Sequence, residues 1–554
     1  MRSSSAWRVR LLAIAAGAFY FLSFPPYDLH PLGWVALVPL VIAIRRSESG
    51  RRAFLAGATT AMVTVLGGYF WIADTAHRFW QAPWPFAILL LLIYGTFAQI
   101  HFTVFAWLSW RSRRVFDRAP ALCYATLFTA CEIVVPRIFP DKLGHTQIDS
   151  GALAFASALV GTHGLTFAVA WVAASAAVLL DGAGRERRRL VELGLALAAV
   201  AGLGLGGARQ ESTFAASPIA RTLDVAIVQS NLGDPEALAT DLGSVTQAID
   251  STIAMYLGLT YRSVAGRHVD FVVWPETALP SMPRPRVLAP LQVMVGSLGT
   301  PLLFGGYDSE RLSGSRWRLY NAAFHMAPNG DLVDRYYKHK LLLFGEYVPF
   351  SERFPVLIDL LPTPGEFTPG PGPEVFDVGG VPLSPLICYE LLFPRVVRAS
   401  LRAGGQVLVN FTNDYWFGRH MEPLQHLQLT RMCAIETGRP IVRATNTGIS
   451  ALIDHRGQVI AQSGLWTQEV LFGRLPVPEP MWTPYARWGE RVTAALAGVC
   501  WLVVGLMWAV LRPRRRAPAT GEPPAESASA GHHGSPTAGS LAGAETRGGG
   551  RASA

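Results

Sequence analysis

Hydrophobic positions along the chain follow three regimes. Over the first ~210 residues, long apolar runs are separated by short arginine clusters. From Thr222 to about 475, short apolar runs alternate with amphipathic stretches. A last apolar run, Val492 to Leu511, precedes a tail rich in Ala, Gly, Ser and Pro. The long runs are Leu11–Phe24, Leu32–Ile44, Ala53–Ala73, Phe86–Trp110, Ala119–Val135, Leu165–Leu180, Leu190–Leu205 and Val492–Leu511, which predicts eight membrane spans. The first two are shorter than the ~20 residues a lone crossing helix needs, so they tilt, break or borrow flanking residues. No small-residue cleavage site follows the first run, and it reads as a retained span, with a signal peptide as the alternative. Arginines precede span 1 and follow spans 2, 4, 6 and 8. The positive-inside rule then puts the N-terminus in the cytoplasm and the segment from about 210 to 490 outside. The expected organisation is a seven-span membrane domain over 1–210, an extracytoplasmic domain over 221–475, an eighth span over 490–511 and a disordered cytoplasmic tail over 512–554.

Within the outer segment, predicted strands are Leu223–Val228, Phe271–Trp274, Pro301–Phe304, Val381–Ile387, Gln406–Phe411, Pro440–Ala444 and Ile449–Ile453. Leu319–Met326 and Leu332–Tyr337 flank Asn329-Gly330 and read as a hairpin. Helices are predicted over Leu242–Tyr261, Arg286–Leu298, Leu391–Leu401 and Glu422–Glu436. Strands alternating with helices predict an α/β domain.

The chain has 554 residues, half of them hydrophobic, and a formal net charge of +9. That is too apolar for an ordinary soluble enzyme. The basic excess lies in clusters that orient spans and does not call for nucleic acid. Five cysteines without a CxxC pair make neither a disulfide framework nor a zinc site. Glu132 and His101 lie inside predicted spans, where an ionisable group needs a partner or a polar cavity. For Glu132, a lipid or substrate contact and a structural pair with Arg137 are both open.

Three polar residues end apolar strands abruptly. Glu276 follows Val272-Val273-Trp274-Pro275, Lys338 follows Tyr336-Tyr337, and Cys388 follows Leu386-Ile387. Alone, Cys388 reads as a packed core cysteine. Strand ends meeting at one sheet edge would join the three residues. A carboxylate there can deprotonate a thiol, and a lysine can lower the thiol pKa and hold an oxyanion.

Trp274-Pro275-Glu276, Tyr337-Lys338-His339-Lys340-Leu341 and Ile387-Cys388-Tyr389-Glu390 resemble, in order, the three signatures of the nitrilase (carbon–nitrogen hydrolase) superfamily. The resemblance implies an αββα sandwich and a Glu–Lys–Cys triad. With eight spans, the chain resembles the lipoprotein-acylating membrane branch of that superfamily. Phe344-Gly345-Glu346-Tyr347-Val348-Pro349, Asn413-Asp414-Tyr415-Trp416-Phe417-Gly418 and Phe139-Pro140 with Leu143-Gly144 resemble that branch as well. Departures are Leu343 where Pro is common, Lys340 where His is frequent, and no aromatic in Leu232-Gly233-Asp234-Pro235.

What the resemblance implies is acyl transfer in two steps. Cys388 takes an acyl chain from a membrane phospholipid as a thioester and passes it to the N-terminal amine of a diacylglyceryl-cysteine apolipoprotein. Glu276 serves as base and acid. Lys338 and backbone N–H groups near Tyr389 hold the oxyanion. Glu346 and Glu390 orient the site, and Trp416 and Phe417 form an apolar lid or lipid contact. No cofactor or metal, no nucleic acid and a monomer in a bacterial inner membrane are expected. The alternative is a membrane-anchored amidase of the same superfamily with water as acceptor.

Overall fold

A computed structural model describes residues 2–498 and 502, except 80, 114–119, 138, 183–185, 234–242, 280–282, 313–316, 344, 349–350, 352, 355, 357–366, 420, 490, 493 and 496–497. The expected eighth span lies largely outside the described residues. So do the tail, Phe344, Pro349, Asp234 and Pro235.

The seven N-terminal apolar runs are helical. By length and apolarity, two helices among the described residues suit a membrane crossing, Ser157–Leu180 and Glu186–Ala215. Two bent pairs raise the number to four: Gly50–Gly68 with Trp71–Arg78, bent by 58°, and Trp84–Ala98 with Ile100–Arg111, bent by 45°. His30–Arg45 and Pro120–Val134 are apolar but shorter. The second bend has a chemical cause. Gln99 is fully buried at the break, and its Nε2 donates to Asp141 Oδ1 at 3.0 Å and Tyr69 OH at 3.1 Å. A side chain committed to partners outside its own helix marks the point where the ladder yields.

Among its described residues the outer segment has twelve strands: β1 Ile219–Gln229, β2 Phe271–Val273, β3 Leu302–Arg311, β4 Trp317–Met326, β5 Leu332–Tyr337, β6 Phe376–Val378, β7 Val381–Ile387, β8 Val407–Thr412, β9 Ile441–Thr445, β10 Ala451–Ile453, β11 Val459–Gln462 and β12 Glu469–Pro478. They form two six-stranded sheets, ordered β12-β1-β2-β3-β4-β5 and β11-β10-β9-β8-β7-β6. The expected strands and helices recur with shifted ends. β6, β11 and β12 are additional, and Leu391–Leu401 resolves into a 3-10 turn, Cys388–Leu392, and a helix, Pro394–Arg402.

Strand periodicity explains the four layers. Val225, Ile227, Phe271, Val273 and Leu303 of the first sheet share one buried cluster with Leu383, Ile387, Val407, Val409 and Val442 of the second. Their sequence neighbours Ala226, Val228, Val272, Leu302 and Phe304 face the helices Val245–Val264 and Pro285–Leu298. Leu386, Leu408 and Ile441 face Pro394–Arg402 and Glu422–Thr437. Successive side chains point to opposite faces, so strands apolar at every position are buried on both sides. The result is the αββα arrangement that the family resemblance implies.

The inter-sheet core continues into the helical region through Val65, Tyr69, Ala73, Ala76 and Phe139. Helix Glu422–Thr437 ties the two regions with hydrogen bonds. Gln425 Nε2 donates to Gly68 O at 3.0 Å, and Thr162 N and Oγ1 donate to Glu436 Oε1 at 2.7 and 2.6 Å.

Candidate active site

Sheet direction brings the three strand-end residues together. β1, β2 and β3 run parallel. β4 is antiparallel to β3, and β5 to β4. Two reversals restore the direction, so the C-terminal ends of β2 and β5 lie on one edge. Glu276 and Lys338 follow those ends. In the facing sheet, β7, β8 and β9 are parallel, and Cys388 follows β7. Carboxyl ends of parallel strands are where α/β sheets present ligand-binding groups.

Each signature divides between packing and chemistry. Trp274 is fully buried and faces the helices; it stacks on Tyr256 at 4.9 Å, and its Nε1 donates to Thr260 Oγ1 at 2.9 Å. Pro275 ends the strand, and Glu276 turns inward, 7% exposed. Gly305 on β3 permits this turn: a Cβ there would lie 2.6 Å from Glu276 Cα and from Pro275 O.

Lys338 is 2% exposed and lies between two carboxylates. Its Nζ donates to Glu346 Oε1 at 2.8 Å and reaches Glu276 Oε1 at 3.5 Å. Asn321 on β4 donates from one Nδ2 to the same two oxygens, 2.8 Å each. Glu346 Oε2 accepts from Leu342 N at 2.8 Å. Burial works against the lysine's charge, but Glu346 and Glu276 outweigh it and hold the ammonium well above the ordinary range. Burial pushes Glu276 up; Lys338 pulls it down, and Glu346 adds to the rise. Two carboxylates around one ammonium leave a net negative charge, which makes Glu276 a stronger base than an exposed glutamate.

Cys388 sits on a strand-to-turn elbow with φ +56°. For a residue with a Cβ this is strained backbone, and such strain is held where the surroundings over-determine it. Asn410 Nδ2 donates to Cys388 O at 2.9 Å, and the thiol hydrogen-bonds Thr412. Burial pushes the thiol well above its usual value, and Glu276 adds to this; Lys338 acts in the opposite sense without prevailing. The lowering by lysine that the sequence suggests is present, and burial with Glu276 outweighs it. The resting cysteine is a thiol beside a base.

Glu390 braces the elbow. Its carboxylate is fully buried and accepts four hydrogen bonds: Tyr336 OH at 2.9 Å, and His339 N, Lys340 N and Ile387 N at 2.8 Å each. These donors come from the end of β5 and the end of β7, so one side chain fixes the lysine segment to the nucleophile segment. Burial raises its pKa, and the backbone N–H groups of Lys340 and Ile387 pull against that rise by favouring the carboxylate form. Tyr389 OH donates to Leu341 O, and Lys338 Nζ lies 5.4 Å from the Tyr389 ring centroid.

Trp416 and Phe417 lie on the turn Asp414–Phe417, half-buried against the helical region. Phe417 meets Trp71 edge-on at 5.0 Å, and Thr75 Oγ1 donates to Trp416 O at 2.6 Å. Beneath this turn, Arg443 and Asp414 form a fully buried ion pair, Nη2 to Oδ2 2.7 Å, and Arg443 Nη1 donates to Asn410 Oδ1 at 2.9 Å. Burial opposes the Asp414 charge, yet Arg443 holds this carboxyl below the ordinary range.

Glu132 lies apart from this cluster. Its Oε1 accepts from Leu143 N at 2.9 Å, which anchors the Phe139–Gly144 loop, while Arg137 pairs with Asp141 at 3.7 Å. His101 is fully buried against Phe102 and Phe128. Sequence reasoning missed Asn321, Asn410, Arg443 and Trp71. The first three carried a signal: each is a lone polar residue inside an apolar strand.

Residues 16–175 match the family model described as the apolipoprotein N-acyltransferase N-terminal domain, and residues 224–479 match that of carbon-nitrogen hydrolase. The chain is similar to an apolipoprotein N-acyltransferase of Geobacter metallireducens, 31% identical over 509 residues, covering 88% of this chain and 95% of that protein. It is 33% identical over 533 residues to one of Bdellovibrio bacteriovorus, covering 90% and 93%. Among solved structures, an amidase from Nesterenkonia sp. aligns with a TM-score of 0.33 at 20% identity, over 47% of this chain and 92% of that one.

Proposed function

The chain belongs to the apolipoprotein N-acyltransferase family, and from that premise we propose how its own residues carry an acyl chain from a membrane phospholipid to the N-terminal amine of a diacylated apolipoprotein. The observation that carries the reading is the elbow: a strained, buried Cys388 facing a base-and-ammonium pair, Glu276 and Lys338.

Glu276 takes the Cys388 proton as the sulfur attacks the ester carbonyl of the phospholipid. Lys338 and the Tyr389 N–H stabilise the oxyanion. The intermediate collapses to a thioester, and the leaving lysophospholipid oxygen takes the proton back from Glu276. In the second step the neutral amine attacks the thioester and loses its proton to Glu276. The sulfur then leaves and recovers that proton as the thiol. No oxidant, metal or nucleotide is needed, because an ester already carries the acyl group in activated form. Glu346 holds Lys338, Glu390 holds the elbow, and Trp416 and Phe417 present an apolar surface to the acyl chain.

The domain plan belongs to the same proposal: a membrane domain over 1–210, a catalytic domain over 221–475 outside the cytoplasm, an eighth span over 490–511 and a cytoplasmic tail over 512–554, acting as a monomer in the inner membrane. The arginine pattern supports eight spans through the positive-inside rule. Short and bent helices packed on one another support a bundle whose segments do not each cross alone.

The test uses purified full chain, a phospholipid with a labelled acyl chain and a diacylated lipopeptide. A hydroxylamine-labile label on Cys388, absent in Cys388→Ala and chased onto the peptide amine, is the expected result. Labelled free fatty acid without N-acylated peptide would instead establish the hydrolase alternative.

A further inference from the structure

A cavity of about 330 Å³ opens where the catalytic sheets meet the helical region. Its size is at the lower end of small-molecule sites, roughly 300–1,000 Å³. Its walls come from both sides: Glu132, Arg137 and Lys142 from the helical region, Lys340, Leu343, Tyr389 and Phe393 from the catalytic domain. Tyr389 forms a shared wall, since its ring also faces the Lys338 ammonium at 5.4 Å. The cavity therefore lies directly behind the nucleophile elbow.

Its charge is unusual for this depth. Three permanent cations, Arg137, Lys142 and Lys340, line it against one carboxylate, Glu132. Asp141, which pairs with Arg137 at 3.7 Å, lies outside the lining and still leaves a positive excess. Lys142 is 5% exposed, and among the described residues no carboxylate lies within ion-pair distance of its ammonium. Arg137 Nη1 is buried without a hydrogen bond. Glu132 attracts both cations; its Oε1 is engaged by Leu143 N and its Oε2 is buried without a hydrogen bond, so this single carboxylate is set against three cations. Buried cations normally find compensating acceptors, and an incomplete set implies an anion supplied from outside. Lys340 stands at the exposed rim, its Nζ 5.5 Å from the Phe393 ring centroid. Its backbone is fixed by Glu390, so the side chain is aimed from a rigid base. Apolar Leu343 and Phe393 complete a lining that is cationic at one part and apolar at another, as an amphiphile requires.

We propose that this junction cavity seats the phosphodiester of the acyl-donor lipid, with Arg137, Lys142 and Lys340 as its counter-charges. The assignment rests on the acyl-transfer reading above and adds the group that selects a phospholipid over a neutral glyceride.

The experiment reads binding without chemistry. Full-chain Cys388→Ala protein in neutral detergent is titrated with a zwitterionic glycerophospholipid, and separately with diacylglycerol of the same chains, by native mass spectrometry. The phospholipid is expected to bind preferentially. Lys340→Gln and Lys142→Gln are each expected to weaken it about tenfold, the scale of one charge-assisted contact, and to leave diacylglycerol binding as it was. Lys340→Arg restores the preference. Lys340 is exposed, so its variants test the idea even where Lys142→Gln fails to fold. Equal weakening of both lipids, or none, would overturn the assignment. Displacement of the phospholipid by inorganic phosphate at matched concentration would overturn the lipid assignment in favour of a free-anion site. Should wild-type protein form no acyl-enzyme while the preference and its charge dependence persist, the catalytic reading fails and the cavity assignment stands.

Discussion

Glu390 offers the sharpest test of how the site is held. Replacement by alanine removes the acceptor of four donors, two of them buried and two part-buried. Each buried orphaned donor costs about 1–3 kcal/mol, so the two of them together remove a large fraction of the stability of a domain. Glu390→Gln is the informative change. Its amide oxygen keeps His339 N and Lys340 N when the amide NH₂ faces Tyr336 OH and Ile387 N. The tyrosine hydroxyl can turn and accept, but the Ile387 N–H cannot. One buried backbone donor is lost along with the charge assistance, a cost of about 2–4 kcal/mol. Slack between Ile387 and the lysine segment also lets Cys388 and Lys338 move apart. A displacement near 1 Å costs about 100-fold in rate. Thermal unfolding of the full chain in detergent and single-turnover acylation at saturating donor measure the two effects. A Glu390→Gln variant with wild-type melting temperature and wild-type acylation rate would refute the bracing role.

Three further outcomes follow from the same geometry. Gly305→Ala puts a methyl group against Glu276 Cα and Pro275 O, which are backbone atoms that cannot swing aside; a loss of about 1–3 kcal/mol and a marked fall in acylation rate are expected from unfolding and turnover measurements. Arg443→Leu leaves the fully buried Asp414 without its countercharge; about 3–5 kcal/mol of stability is lost, and Asp414→Asn in the same chain recovers part of it. Acylation needs ionised Glu276, whose pKa burial raises. Its rate therefore falls with decreasing pH through a limb above the ordinary carboxylate range, and Glu346→Gln, which removes a negative neighbour, moves that limb to lower pH; a limb that stays in place or rises contradicts the assignment.

The sequence by itself determined the strand ends. An apolar strand stopped by proline, tyrosine or cysteine is a local pattern, so Glu276, Lys338 and Cys388 were legible from their neighbours alone. Glu346 was legible only through family resemblance. The tertiary structure decided what local patterns cannot encode. Two strand reversals bring Lys338 to the edge that holds Glu276, and Asn321, seventeen positions before the lysine, bridges both glutamates. The electrostatics changed as well. From sequence, a lysine near a cysteine lowers the thiol pKa; in the fold, burial and Glu276 outweigh it, because desolvation depends on what surrounds a group in space. The spans show the same division. Apolar runs marked the long N-terminal helices, but Gln99, bound to Asp141 and Tyr69 across the bundle, broke a run of 25 apolar-rich positions into two bent helices. Hydropathy is a property of the chain. The count of straight crossings depends on polar contacts made only after the helices pack.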